Sequence, residues 1–379
     1  MPQAWYPRRV PRAIGLIALA MIGCGRLSFE PAPQDGTAPI DTPPVPAAIC
    51  KVDRIPFDPT PSLADLAIAP TSEGYAAIWI DTTGAQPAHG LVLGPNHGIL
   101  GSLALPDIMD TALGGITDVG GKLVLASATG TVESVRILGR DLQTVTLQST
   151  LMGHLMGHDP YPSDANQSRR AFLTGRDNTL EMSYVATDGL INLGQPGVYI
   201  ASGTVTDLAC TDGPDHAHCV WAEKLPSPGG SSQCTITDIN FVLNAPAVGS
   251  HIVMSSDCYE LRNASGPVSA DSMIAVWTTQ AHELKAHYAV STGDRERLIT
   301  QTGSAPKVRF DGTRFWIAWL DGGGLLQLSS FDINGTTVNY SLAGWTPNGP
   351  EAFEVVSRGN ETGVVLLSPN GLDILTICS

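Results

Sequence analysis

The chain has 379 residues, a net charge of −15 and only 15% charged positions. An acidic balance of this size, with no Lys/Arg cluster to offset it, repels phosphate backbones and excludes nucleic acid as a partner. Gly and Pro fill 68 positions, about 18% against an average near 12%. With Glu/Lys/Leu-rich stretches absent, this excludes a helical bundle and favours short strands joined by tight turns.

Residues 1–23 read as an export signal. Arg8, Arg9 and Arg12 form a positive n-region, and Ala13 to Ile22 form an apolar run too short to span a bilayer as a helix. Without those three arginines the charge of the remaining chain is −18. The run ends in Met21-Ile22-Gly23-Cys24. That end resembles the lipobox of bacterial lipoproteins, in which a small residue precedes a cysteine that is acylated and becomes the new N-terminus. Met21 departs from the usual Leu. The resemblance implies lipidation of Cys24 and stable anchoring by several acyl chains, where one alone is marginal. Gly25, in place of Asp, implies sorting to the outer membrane of the cell envelope. Residues 24–47 follow as a Pro-rich tether, expected to be extended and semi-rigid.

From residue 48 to 379 a weak unit recurs: a short strand, a turn, an apolar strand often ending in Trp, a polar turn, and a third strand. The apolar strand appears at 75–80, 122–127, 179–184, 218–223, 273–278, 315–320 and 363–368. Aligned positions Trp79, Ala126, Ser183, Trp221, Trp277, Trp319 and Leu367 are spaced 38 to 57 residues apart. Propeller blades repeat at about 40–50 residues. The expectation is therefore an all-β fold, a seven-bladed β-propeller closed by an N-terminal strand, with six or eight blades or paired β-sandwiches as alternatives. The recurrent Trp is read as wedge filler between neighbouring sheets. Asp311-Gly312 marks the clearest hairpin turn.

Six cysteines remain after Cys24, an even number that suits disulfides in an exported chain. Cys210 and Cys219 flank a turn-rich stretch and are expected opposite each other in one hairpin. Cys234 and Cys258 are expected opposite each other around a turn centred on Pro246, so both staples fall in the fourth blade. Cys50 and Cys378 then pair by elimination. The last blade lacks an outer strand, and 48–54 can supply it, which places Cys50 beside Cys378.

No catalytic motif emerges. His282-Glu-Leu-Lys-Ala-His287 nearly copies the zinc-protease signature, but its histidines are five apart where one helix face needs four. His154 and His158 have the right spacing in a Gly-rich stretch that does not suit a helix. Asp212, Asp215, His216 and His218 are dense around Cys219, which is better used in a disulfide. Residues 330–337 resemble the Asp-box of sialidase-like propellers, but one residue is extra, the terminal Trp is missing and the motif occurs once; a strand-to-strand turn is expected there. No metal or cofactor is expected. The functional expectation is a lipid-anchored envelope protein that binds or scaffolds protein or glycan partners, more a binder than an enzyme. The alternative is a glycan-active hydrolase or lyase. A cluster of carboxylates with Arg or His at one channel mouth would favour that alternative.

Overall fold

The computed structural model describes the chain between residues 45 and 378. Left out within that span are 47–48, 57–63, 82–87, 106–107, 109–111, 120, 130–131, 153–154, 157–168, 177, 187–190, 213–215, 226–231, 241–246, 256, 266–272, 291–292, 333–335 and 360. The chain divides into two units, Met1–Asp35 and Gly36–Ser379, and every described element belongs to the second. The export signal, Cys24 and most of the tether lie outside the described residues.

The fold is an all-β propeller. The described strands pair into seven antiparallel sheets in chain order, at 64–104, 112–152, 155–200, 204–255, 259–300, 303–341 and 353–377. Within each sheet consecutive strands are neighbours. The innermost strands are Ala64–Thr71, Ala112–Val119, Arg169–Arg176, Thr204–Asp212, Tyr259–Ser265, Gly303–Phe310 and Phe353–Arg358, save that in the third sheet the two-residue strand Leu155–Met156 pairs outside its Arg169–Arg176. Inner strands of successive sheets touch from the third sheet round to the seventh, and again from the seventh to the first and the first to the second.

The second strand of each sheet explains the apolar runs. In Gly74–Asp81, Tyr75, Ala77 and Trp79 pack toward the seventh sheet, while Ala76, Ile78 and Ile80 pack toward the second. In Arg314–Asp321, Phe315, Ile317 and Trp319 face the fifth sheet, while Trp316, Ala318 and Leu320 face the seventh. Side chains alternate between faces, and both faces are buried, so the strand reads as continuous hydrophobicity with no polar side. Trp79, Trp221, Trp277 and Trp319 are all buried in this layer.

The seventh sheet takes three strands from the end of the chain, Phe353–Arg358, Glu361–Ser368 and Gly371–Ile377. Its outer strand is Ile49–Ile55, antiparallel to Gly371–Ile377, with Ile49 opposite Ile377 and Ile55 opposite Leu372. A Cβ on Gly371 (φ +130°) would lie 2.1 Å from the Ile55 carbonyl oxygen, so close approach of the closing strand requires glycine there. Just upstream, Val45 and Pro46 pair in parallel with Tyr340 and Ser341 on the outer edge of the sixth sheet. The last residues of the expected tether thus already belong to the sheet edges.

Cys50 is bonded to Cys378, with Cα atoms 5.4 Å apart. Cys234 is bonded to Cys258 at 5.7 Å, but not across a hairpin as the spacing suggested. Cys234 in Ser232–Asn240 stands opposite Ser255. Cys258 lies beyond that strand, in the link to the fifth sheet, so the bond ties the fourth sheet to the chain entering the next one. Cys210 and Cys219 are register partners in the fourth sheet; their side chains lie outside the described residues.

Candidate functional site

The charged side chains concentrate where the inner strands begin, at one end of the strands that surround the propeller axis. Asp65 stands in the first sheet, Asp207 in the fourth, Glu260 and Arg262 in the fifth, and Lys307 in the sixth. Glu351 and Glu354 lie at the start of the seventh. Three of the acids share one structural task. The Asp65 carboxylate accepts the Leu113 N–H at 2.6 Å, across to the second sheet. Asp207 accepts the Leu261 N–H at 2.8 Å, from the fourth sheet to the fifth, and the Leu208 N–H at 2.8 Å. Glu260 accepts the Ala305 N–H at 2.9 Å, from the fifth to the sixth, and the Thr278 hydroxyl at 3.2 Å. At the seventh-to-first step the Glu351 carbonyl takes over and accepts the Leu66 N–H at 3.0 Å. Inner-strand edges carry backbone N–H groups that no ladder satisfies, and these acceptors satisfy them.

The cations balance part of the ring. Lys307 Nζ donates to the Glu351 carboxylate, and Arg262 lies 3.6 Å from the same group. Arg262 also donates to the Leu261 carbonyl at 2.6 Å. Burial opposes charge on Arg262, but Glu351 and Asp207 outweigh it and raise its pKa. Burial raises the Asp207 carboxyl against the pull of Arg262 and its backbone donors. Burial also pushes Asp65 up to about 6, against the Leu113 N–H and Lys307. A pocket lies beside Asp65, lined also by Ile116, Lys307, Glu351 and Glu354, with a cavity volume of about 30 Å³. That space holds a water or two. Small-molecule sites are about ten times larger.

A second polar cluster sits on the seam between the first and seventh sheets. His97, buried in the turn 94–98 at φ 62°, presents Nδ1 to Asp53 at 2.5 Å and Nε2 to Glu361 at 3.1 Å. Asp53 also pairs with Lys51 at 2.6 Å. Burial works against the Asp53 charge, yet hydrogen bonds from Lys51 and His97 hold its pKa below the usual carboxylate value. Further along the closing strand, Arg54 meets the buried Asp373 carboxylate at 2.5 Å and 3.3 Å.

The remaining sequence candidates do not come together. His282 caps an exposed turn at φ 63° and His287 is buried in the strand Leu284–Val290, so the zinc-protease resemblance has no helix to stand on. The Thr336 N–H donates to Asp332 at 2.7 Å, between the strands Leu326–Asp332 and Thr337–Ser341, and the Asn334-Gly335 turn expected there lies outside the described residues. His154 and His158 lie outside the described residues, as do Asp215 and the side chains of Asp212, His216 and His218. Among the described residues no group of three or more His, Cys, Asp or Glu is placed to hold a metal ion. The mouth acids were legible in principle: Asp65-Leu66-Ala67 and Asp207-Leu208-Ala209 repeat the same tripeptide at the same place in the unit.

No protein-family model matches the chain, and no curated protein matches it. Solved structures do. The chain is similar to the WD40 domain of coronin from Toxoplasma gondii, at 11% identity and TM-score 0.55, over 88% of each chain. It is also similar to BBS1N, solved in complex with ARL6DN, at 8% identity and TM-score 0.54, over 89% of this chain and 98% of that one. Prolyl endopeptidases match at 11% identity and TM-score 0.48, and the chain spans 45% of their length. At these identities the likeness establishes the β-propeller fold.

Proposed function

We propose that this chain is a bacterial envelope lipoprotein whose propeller is a binding or scaffolding module for protein or glycan partners. In this reading Cys24 carries the acyl chains, the tether ahead of Val45 holds the domain off the outer membrane, and the seven sheets are seven blades. The observation that carries it is the engagement of the mouth charges: Asp65, Asp207 and Glu260 hold neighbouring sheets together through backbone N–H groups. Glu351 is matched by Lys307 and Arg262. Such a mouth stiffens a disc, and the loop-bearing faces are then the surfaces for partners. BBS1N, similar at TM-score 0.54, was solved in complex with ARL6DN, which agrees with this use of the fold by analogy.

The glycan-active alternative rests on the carboxylates gathered with Arg262 at one mouth, and on the Asp65 carboxyl with a pKa of about 6 in a pocket with Lys307 and Glu351. A carboxyl poised near neutrality is what a general acid needs. One experiment separates the two. Detergent-extracted protein is tested by intact mass for an acylated Cys24, then by a glycan array and a hydrolysis screen on the same sample. Retention of array or protein ligands without turnover supports the binding module. Turnover that disappears in Asp65→Asn replaces it with the enzyme.

A further inference from the structure

The two described disulfides differ in how solvent reaches them. Cys234 and Cys258 are fully buried and packed against Leu261, Met273 and Trp277 in the wedge between the fourth and fifth sheets. Cys50 is exposed, Cys378 is half-buried, and their bond lies on an outermost strand of which Lys51, Val52 and Arg54 are exposed as well. Thiol–disulfide exchange requires a thiolate to reach a sulfur, so access sets which bond reacts first. The exposed bond is also the one that joins the two ends of the ring, 328 residues apart in sequence.

We propose that Cys50–Cys378 is a redox-sensitive latch on the propeller, opened by dithiols while Cys234–Cys258 stays oxidised. A thiolate of the external dithiol attacks Sγ of Cys50, forms a mixed disulfide and releases the Cys378 thiolate, which takes a proton. The second thiol of the reagent then displaces Cys50. Two electrons pass from the dithiol, which leaves as its cyclic disulfide, and two protein thiols remain. After opening, the closing strand is still held by its ladder to Gly371–Ile377, by Arg54 on Asp373, and by His97 between Asp53 and Glu361. The reduced ring is therefore closed but frays at one edge. Where the closing strand frays from Gly371–Ile377, the backbone groups it leaves behind accept another extended segment.

The test uses the full chain and graded dithiothreitol, with thiol alkylation, peptide mapping and hydrogen exchange on the same samples. Cys50 and Cys378 are expected to label at least roughly tenfold faster than Cys234 and Cys258. Exchange should rise in 49–55 and 371–377 and stay unchanged in the strands of the fifth and sixth sheets. Labelling of Cys234 and Cys258 first or at the same rate overturns the proposal. So does labelled Cys50 with no change in exchange at 49–55. The double variant Cys50→Ser/Cys378→Ser should show the raised exchange without reductant and no further response to it. If that variant does not fold, the wild-type titration decides alone.

Discussion

The sixth and seventh sheets are neighbours, yet they hold their fourth strands in different ways. In the sixth sheet Thr337–Ser341 pairs with Leu326–Asp332, the strand just before it in sequence. Asp332 N–H donates to the Thr336 carbonyl at 3.0 Å, and Ser329 bonds Asn339 across the ladder at 2.5 Å. Every residue of that fourth strand is half-buried. In the seventh sheet the outer strand arrives from the other end of the chain. No hairpin sets its register, and four of its seven residues are exposed. The Cys50–Cys378 bond stands at one end, Arg54–Asp373 near the other, and between them Asp53 takes His97 from the first sheet. The local link of the sixth sheet thus has a substitute here: one covalent tie and two polar contacts, spaced along seven residues. What local sequence does for the sixth sheet, specific long-range chemistry does for the seventh.

The largest effect is expected where the two sheets are alike, in their shared dependence on the second strand. Phe315→Ala empties a fully buried aromatic between the fifth and sixth sheets. It should cost about 3–5 kcal/mol in denaturant unfolding. A loss well below that range would mean the sixth sheet, too, leans on its edge rather than its wedge.

A pH series on Asp65→Asn comes next and tests the mouth separately from the outer edge. The folded Asp65 pKa, about 6, lies above its ordinary value of 3.8. The folded state therefore binds this proton more tightly than the unfolded one. The resulting stability is fully present below about pH 4 and is lost as pH rises through 6. Wild type should lose stability across that window, with a slope below about 1.4 kcal/mol per pH unit from this group. Asn keeps an oxygen for the Leu113 N–H but does not titrate, so the variant should show a flatter curve and no penalty at pH 7. Parallel curves for the two proteins would show that Asp65 does not titrate in that range.

The smallest effect concerns the closing strand itself. Asp373 is fully buried and accepts from Arg54 and from Ser368 Oγ at 2.6 Å. Asp373→Ala removes both contacts and should cost about 1–2 kcal/mol. The disulfide remains, so the loss should appear as faster hydrogen exchange in 49–55 more than as global unfolding. An effect equal in all seven sheets would mean that the ion pair supports the whole ring.

Much of this architecture is visible in the residues before any coordinates. Runs such as Tyr75–Ile80 and Phe315–Leu320 reveal themselves because strands buried on both faces lose the polar alternation that turns and edges keep. The closing strand is legible because a three-strand remainder at one end and a cysteine at the other leave one arrangement. The Cys234–Cys258 geometry is not, because the spacing assigns both residues to one hairpin. In the structure the chain leaves the strand at Ser255 and reaches the bond in the following link. The mouth acids escape notice for a related reason. An Asp ahead of an apolar run reads as a solvated charge until the backbone it serves is known, and that backbone lies 45 to 54 residues away. His97 is hidden likewise, since 94–98 reads as an ordinary polar turn and its two acids come from opposite ends of the chain.

The placement of Ile49–Ile55 also sets an order of assembly. This strand leaves the ribosome more than three hundred residues ahead of its partner Gly371–Ile377, and during that interval it has no ladder to join. Six sheets can collapse from local contacts while the opening segment waits, and the last sheet completes only when the two chain ends meet. A topology that couples distant strands folds slowly, so the pairing of Ile49–Ile55 with Gly371–Ile377 is the step that sets when the ring is complete.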